Sequence, residues 1–275
     1  MSDVGTHPPI RCPDRFYAGY VFDLDGTLYL GDHLIPGAAL TVERLRSAGA
    51  RTVFLTNNPT SLPTDYAAKL RRLGIPAERE DVVSSTDALV GYLRANAPGA
   101  RLLAISERLL ADLLRSEGFE VVDDPARTDV VVVAFDRTFD YAKLTAAFRA
   151  VRAGARIVAT NPDPYCPTPD GGIPDCAAML AAIEAATGRR AEAIVGKPSP
   201  HMAAAVTARL GLPSDDVVMV GDRILTDVAM ARTAGMHAAL VLSGATRPDD
   251  LATTDMGLWP DFVLADVTQL IPANA

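Results

Sequence analysis

The chain has 275 residues, 49% of them hydrophobic and 22% charged, the make-up of a globular protein with one large domain or two moderate ones. Its 26 basic and 34 acidic side chains give a formal charge of −8. That argues against a nucleic-acid groove or an anionic membrane as main partner, since both need basic protein surface.

Residues 1–15 read as a loose arm with acids, prolines and no apolar run, unlike a signal peptide. Ala18–Phe22 reads as a buried strand ended by Asp23, followed by a helix over Leu40–Ala48 and a strand over Arg51–Leu55. A helix is expected at Tyr66–Leu73, a strand at Ala100–Ile105 and a helix at Leu109–Glu117. Asp129–Ala134 is a strand, and Tyr141–Arg152 is a helix behind Asp140, an N-cap residue type. A strand at Arg156–Ala159 and a helix at Ala177–Ala186 stopping near Gly188 come next, then strands at Ala193–Val195 and Val217–Val220. Ser199 and Pro200 open a further helix in cap-then-proline order. A helix over Leu225–Ala234, stopped by Gly235, and a strand over Ala238–Leu242 complete the pattern. Alternating strands and helices with unbroken apolar strands predict an α/β fold whose parallel sheet is buried on both faces.

Apolar runs such as Val130–Phe135 are far too short to span a membrane. Cys12, Cys166 and Cys176 form no Cys-x-x-Cys pair, so neither a disulfide framework nor a zinc knuckle is expected. Free thiols fit a reducing compartment, and a cytoplasmic protein is the expectation.

In open parallel sheets ligands sit at the carboxyl ends of strands. There this sequence carries Asp23-Leu24-Asp25-Gly26-Thr27, then Thr56-Asn57-Asn58, then Gly196-Lys197-Pro198, then Gly221-Asp222 with Asp227 five residues on. Each alone is most often a turn or a helix cap. Their order, each behind a strand, is hard to explain as four turns. Several carboxylates in one site need compensation, and a hard divalent cation such as Mg²⁺ supplies it where phosphate is the partner. Asp23 is a candidate nucleophile, and Asp25 a candidate acid and base for the leaving oxygen and for water. Gly26 permits a turn that a side chain would obstruct. Thr56 offers a hydroxyl, Asn57 a backbone N–H and Lys197 a positive charge to phosphoryl oxygens. Phosphoryl transfer needs mainly such positioning and charge stabilisation.

This ordered set resembles the four motifs of the haloacid dehalogenase superfamily. The wider text is similar to its NagD-like phosphatase branch, which includes para-nitrophenyl, phosphoglycolate and glycerol-phosphate phosphatases. Phe135-Asp136-Arg137, Ala159-Thr160-Asn161-Pro162-Asp163 and Gly196-Lys197-Pro198-Ser199-Pro200 carry the likeness, which covers residues 17–265. The resemblance implies a Rossmann-like core (residues 1–82 and 191–275) with an α/β cap (residues 83–190) inserted between the second and third motifs. It implies Asp23 as nucleophile and Asp25 as acid/base. It places Mg²⁺ on Asp23, the backbone carbonyl of Asp25, and Asp222, with Asp227 supporting the metal's water shell or Lys197. Thr56, Asn57 and Lys197 would bind the phosphoryl group. Caps of this kind often pair, which points to a homodimer.

The chain departs from the family at three places. Ala134 and Ala231 stand where glycine is frequent, and Pro174-Asp175-Cys176-Ala177 replaces the usual Pro-Gly-x-Gly. Asp175 either caps the following helix or faces substrate, where it would disfavour an anionic substrate tail. Asn161, Asp163, Tyr165 and Asp170 are further candidates for substrate specificity. His201 is expected to be a surface or packing residue, His237 to be structural and Trp259 to pack. The leading expectation is a Mg²⁺-dependent phosphatase acting on a small phosphomonoester such as a sugar or polyol phosphate through an aspartyl-phosphate. Alternatives are a phosphotransferase or mutase, a phosphoglycolate or nucleotide phosphatase, a dehalogenase, or a receiver-like phospho-switch.

Overall fold

The computed structural model describes residues 11–168 and 171–273. Asp170 and residues 1–10 of the expected arm lie outside the described residues. Residues 11–15 are tied down rather than loose. Arg11 bridges Val263, Arg15 donates to Asp216 at 2.7 Å, and the Arg15 guanidinium lies over the Tyr17 ring.

The elements in chain order are β1 (Gly19–Asp23), β2 (Tyr29–Leu30), β3 (His33–Leu34), α1 (Ala38–Ser47), β4 (Arg51–Thr56), α2 (Pro63–Arg72) and β5 (Val82–Ser84). Next come α3 (Ser85–Asn96), β6 (Arg101–Ile105), α4 (Arg108–Ser116), β7 (Glu120–Val121), β8 (Val130–Val133), α5 (Tyr141–Arg152) and β9 (Arg156–Ala159). They are followed by β10 (Tyr165–Thr168), β11 (Gly171–Pro174), α6 (Cys176–Thr187), β12 (Ala193–Ile194) and α7 (Pro200–Leu210). The chain closes with β13 (Val217–Gly221), α8 (Ala229–Ala234), β14 (His237–Val241), α9 (Pro248–Ala252) and β15 (Phe262–Leu264).

The chain divides into two compact units. The first comprises residues up to Thr56, Pro63–Val83 and from Ala203 on; the second comprises residues 57–62 and 84–202. The second unit thus runs to Met202, beyond the cap boundary at residue 190 read from sequence.

The first unit holds a six-stranded sheet in the order β15-β14-β13-β1-β4-β5. β1 pairs in parallel with both β13 and β4, so Val21 faces Met219 on one side and Val53 on the other. All five residues of β1 are buried, as a central strand covered on both faces requires. Phe22, Phe54, Leu45 and Leu70 are fully enclosed in its core, each contributing about 1.5–3 kcal/mol by removal from water.

The second unit holds a five-stranded sheet in the order β12-β9-β8-β6-β7, with parallel pairings throughout. The four valines of β8 are all buried. Ala147, Ala150 and Val151 of α5 and Met179, Leu180 and Ile183 of α6 belong to the core this sheet shares. Asp140 caps α5 as expected, its side chain accepting from the Lys143 N–H at 2.8 Å. Gly188 ends α6 in the left-handed conformation, which a Cβ disfavours.

Two sequence expectations change. The helix expected over Leu225–Ala234 begins instead as a π-turn over Ile224–Val228, and only Ala229–Ala234 is α-helical. The wider turn leaves Leu225 72% exposed and lets the Asp227 carboxylate accept from the Arg223 N–H at 3.0 Å. Such bulges recur at functional sites. The sequence pass expects no helix over α3, although Ser84 and Asp87 form a reciprocal capping box there. Its start follows β5 without a turn, so neither period dominates the text.

His201 packs edge-on against Tyr92, and His237 against Tyr17, as expected. The Trp259 indole N–H donates to the Thr254 carbonyl at 3.2 Å. All three cysteines are free thiols. Cys176 is fully buried, and burial pushes its thiol up to about 12. A thiol reagent at pH 8 is therefore expected to label exposed Cys12 and leave Cys176 untouched until denaturant unfolds the chain, since the thiolate is the nucleophile. Counting modified cysteines by mass spectrometry checks this; labelling of Cys176 in the folded protein would contradict it. From the unfolded value of 9.0 up to about 12, the folded state keeps a proton that the unfolded chain releases. Ionisation of this thiol therefore weakens the fold as pH rises through that window.

Candidate active site

Asp23 is the last residue of β1, and Asp222 directly follows β13, the strand paired beside it. Asp227 comes from the π-turn. One carboxylate oxygen from each of these three residues lies within 4.8 Å of the others, and all three side chains are buried. Asp222 is only 2% exposed and Asp227 only 1%, so water screens their mutual repulsion poorly.

The surrounding backbone is shaped to this cluster. A Cβ on Gly26 or Gly244 would overlap the Asp222 carboxylate, and one on Gly221 would overlap that of Asp227. Gly26 also has φ +86°, a conformation costly for other residues. The loop after β1 folds tightly on itself. The Leu28 N–H donates to the Leu24 carbonyl at 2.9 Å, and the Gly26 N–H to the Tyr29 carbonyl at 2.8 Å. Asp25 is half-buried in that loop, bridged to Tyr29. The Thr27 hydroxyl approaches Asp23 Oδ2 at 3.5 Å.

The segment after β14 closes the other side. The Ala245 N–H donates to Asp222 Oδ2 at 2.6 Å, and the Ser243 hydroxyl donates to the Gly26 carbonyl at 2.8 Å. Sequence reading missed Ser243, Gly244 and Ala245. The same strand-end rule that found the other motifs applies to them, but Ser-Gly-Ala carries no charge to flag it. Three buried carboxylates with only oxygen donors fit a hard divalent cation of the Mg²⁺ type. Thr56, the last residue of β4, is buried at the same carboxyl edge, one strand over from Asp23.

The second unit holds the other expected residues. Lys197 and Asn57 are both buried. Asn57 Oδ1 accepts from the Lys197 N–H at 2.7 Å, and Asn57 Nδ2 donates to Asp163 Oδ2 at 2.7 Å. Asn161 Nδ2 donates to Asp163 Oδ2 at 2.9 Å and to Asp175 Oδ1 at 3.2 Å. Asp175 takes the helix-capping role, its side chain accepting from the Cys176 N–H at the start of α6. Tyr165 is 44% exposed on the hairpin of β10 and β11.

The Phe135-Asp136-Arg137 motif fixes its own loop. Buried Asp136 accepts from Lys143 Nζ at 2.5 Å and from the Thr138 hydroxyl at 2.6 Å. Arg137 forks onto Glu107 at 2.5 and 2.8 Å and holds that carboxyl below its ordinary range. A cavity of about 600 Å³ in this unit is lined by Asp136, Arg137, Phe139, Ile173, Pro174 and Met179 among others. Among its described lining residues is none of the expected catalytic ones.

Known proteins share both the sequence and the architecture. The family model described as haloacid dehalogenase-like hydrolase matches residues 20–120, and a second, HAD-hydrolase-like model matches residues 194–270. Sugar-phosphatase AraL of Bacillus subtilis is 36% identical over 92% of this chain and 93% of its own. The crystal structure of 4-nitrophenylphosphatase from Thermotoga maritima superposes with a TM-score of 0.86 at 35% identity, covering 92% of this chain and 96% of that one. Glycerol phosphate phosphatase from Mycobacterium tuberculosis, in complex with magnesium, gives a TM-score of 0.86 at 32% identity, covering 95% of this chain and 78% of that one. The strand-end acids, the parallel sheets and these likenesses agree: the chain belongs to the haloacid dehalogenase-like hydrolases, among the NagD-like phosphatases.

Proposed function

We propose that this phosphatase hydrolyses a small sugar or polyol phosphate, with Mg²⁺, through a phosphorylated Asp23. The observation that carries the reading is the buried cluster of Asp23, Asp222 and Asp227 at the carboxyl ends of two adjacent parallel strands. The activities named for the sugar phosphatase and the glycerol phosphate phosphatase support the substrate class. The magnesium complex of the latter supports the choice of ion.

In this reading Asp23 and Asp222, with the backbone carbonyl of Asp25, would hold the metal. Asp227 would support its water shell or Lys197. When bound, Mg²⁺ neutralises charge on the phosphoryl oxygens and on the acids around them. An Asp23 carboxylate oxygen attacks phosphorus as the bond to the leaving alcohol breaks, and Asp25 gives that oxygen its proton. Asp25 then takes a proton from water, whose oxygen attacks phosphorus. The bond to Asp23 breaks, inorganic phosphate leaves, and both carboxylates return to their starting states. The Thr56 hydroxyl, the Asn57 N–H and the Lys197 ammonium serve the equatorial phosphoryl oxygens. The second unit, as the inserted cap, supplies substrate selection.

A phosphate-release screen over metabolite phosphates, with and without Mg²⁺, tests the assignment. The highest kcat/KM is expected on a sugar or polyol phosphate, with release to water and dependence on the ion. Phosphoglycolate at the top of the ranking, or phosphate delivered to a sugar acceptor instead of water, would overturn the substrate or the reaction respectively.

A further inference from the structure

The backbone around Lys197 is held by an amide whose orientation is fixed from its far end. The Gly196 N–H donates to the Thr160 carbonyl at 2.7 Å. A Cβ on Gly196 would overlap that carbonyl and Asn57 Oδ1. Asn57 then grips the next residue from both sides. Its Oδ1 accepts from the Lys197 N–H at 2.7 Å, and its Nδ2 donates to the Lys197 carbonyl at 3.2 Å. The Asn57 main chain is held too, its carbonyl accepting from the Ser85 hydroxyl at 2.6 Å.

An asparagine amide has two orientations, and the wrong one here would set Nδ2 against the Lys197 N–H, donor on donor. Asp163 selects the right one. Its Oδ2 accepts from Asn57 Nδ2 at 2.7 Å and from Asn161 Nδ2 at 2.9 Å, in a setting only 8% exposed. A carboxylate acceptor makes these bonds stronger than a neutral one would. The Asn161 amide is directed in turn by the Thr160 hydroxyl, which donates to its Oδ1 at 2.7 Å. The Asn-Pro-Asp segment thus acts on Lys197 through one intermediary.

We propose that Asp163, acting through the Asn57 side chain, is a positioning residue for Lys197 and not a residue that reads the substrate. This rests on the reading of Lys197 as the cation serving the phosphoryl group. A misplacement of ~1 Å in such a group costs about 10²-fold in rate. The loss should therefore fall on every phosphomonoester alike.

A double-mutant cycle on the Mg²⁺-loaded enzyme tests it, with Asp163→Ala, Lys197→Ala and the double variant, and with p-nitrophenyl phosphate and glycerol phosphate as substrates. Asp163→Ala is expected to lower kcat about 10- to 100-fold and to weaken inhibition by inorganic phosphate in step. The ratio of kcat/KM between the two substrates should stay within about threefold of wild type. In the Lys197→Ala background the same change should cost less than about threefold. Asp163→Asn keeps an acceptor oxygen and should recover most of the loss. Additive losses, or a substrate ratio moved tenfold or more, would overturn the proposal. Wild-type turnover in Lys197→Ala would instead remove the reading of Lys197 on which it rests, a separate outcome. If Asp163→Ala does not fold, Asn57→Ala takes its place in the cycle. Coupling to Lys197 then supports the link, and additivity breaks it.

Discussion

Asp23→Asn is expected to abolish phosphate release, by ~10⁴-fold or more, with the fold intact. Loss of a covalent nucleophile typically costs this much, and uncatalysed phosphomonoester hydrolysis is among the slowest reactions enzymes accelerate, by up to ~10²¹. Asparagine has the same shape but is no nucleophile of comparable strength. The fold should survive for an electrostatic reason. Asp23 shares its buried cluster with two other carboxylates, so removing one charge relieves repulsion in the metal-free protein. Steady-state release from p-nitrophenyl phosphate, beside a thermal melt without metal, checks both halves. Activity within tenfold of wild type would end the proposed mechanism.

The second large effect concerns the cation. Chelation with EDTA is expected to stop turnover, and added Mg²⁺ to restore it. Asp222→Asn should weaken that rescue at least about 10²-fold in the Mg²⁺ concentration needed, since one of few charged oxygen donors is lost. A readout without catalysis accompanies it. An ion that binds only the folded state, at a hundred times its Kd, stabilises by about 2.7 kcal/mol. Mg²⁺ should therefore raise the Tm of the wild type and leave Asp222→Asn nearly unmoved at the same concentration. Full activity in EDTA, or equal shifts in both proteins, would contradict the assignment.

Much of this was legible in the chain because parallel strands put chemistry in a fixed place. Asp23, Thr56 and Asp222 each sit at or just past the end of an apolar run, so finding the strands found the residues. β8 and β13 are short, continuous and apolar, and β1, β4 and β9 each carry three apolar residues in a row, the text of strands buried on both faces. The misses have physical causes as well. The hairpins β2–β3 and β10–β11 are two to four residues per strand, too short for a period of two to emerge. The π-turn before α8 depends on the Asp227 carboxylate reaching a backbone N–H, a bond no periodicity records. The sequence offers Asn161 and Asp163 as candidates for substrate specificity. Whether they face substrate or one another depends on side chains more than 100 positions away, namely Asn57, to which Asp163 bonds.

The account rests on phosphorus being carried by one named side chain. The most direct measurement is acid quenching of the Mg²⁺-loaded enzyme during turnover of p-nitrophenyl phosphate, followed by borohydride reduction and peptide mass spectrometry. An acyl phosphate at residue 23 would be reduced to the alcohol, leaving homoserine in place of Asp23 in the substrate-treated sample alone. Unmodified aspartate at that position in enzyme shown to be turning over, or the label found on another residue, would contradict the account.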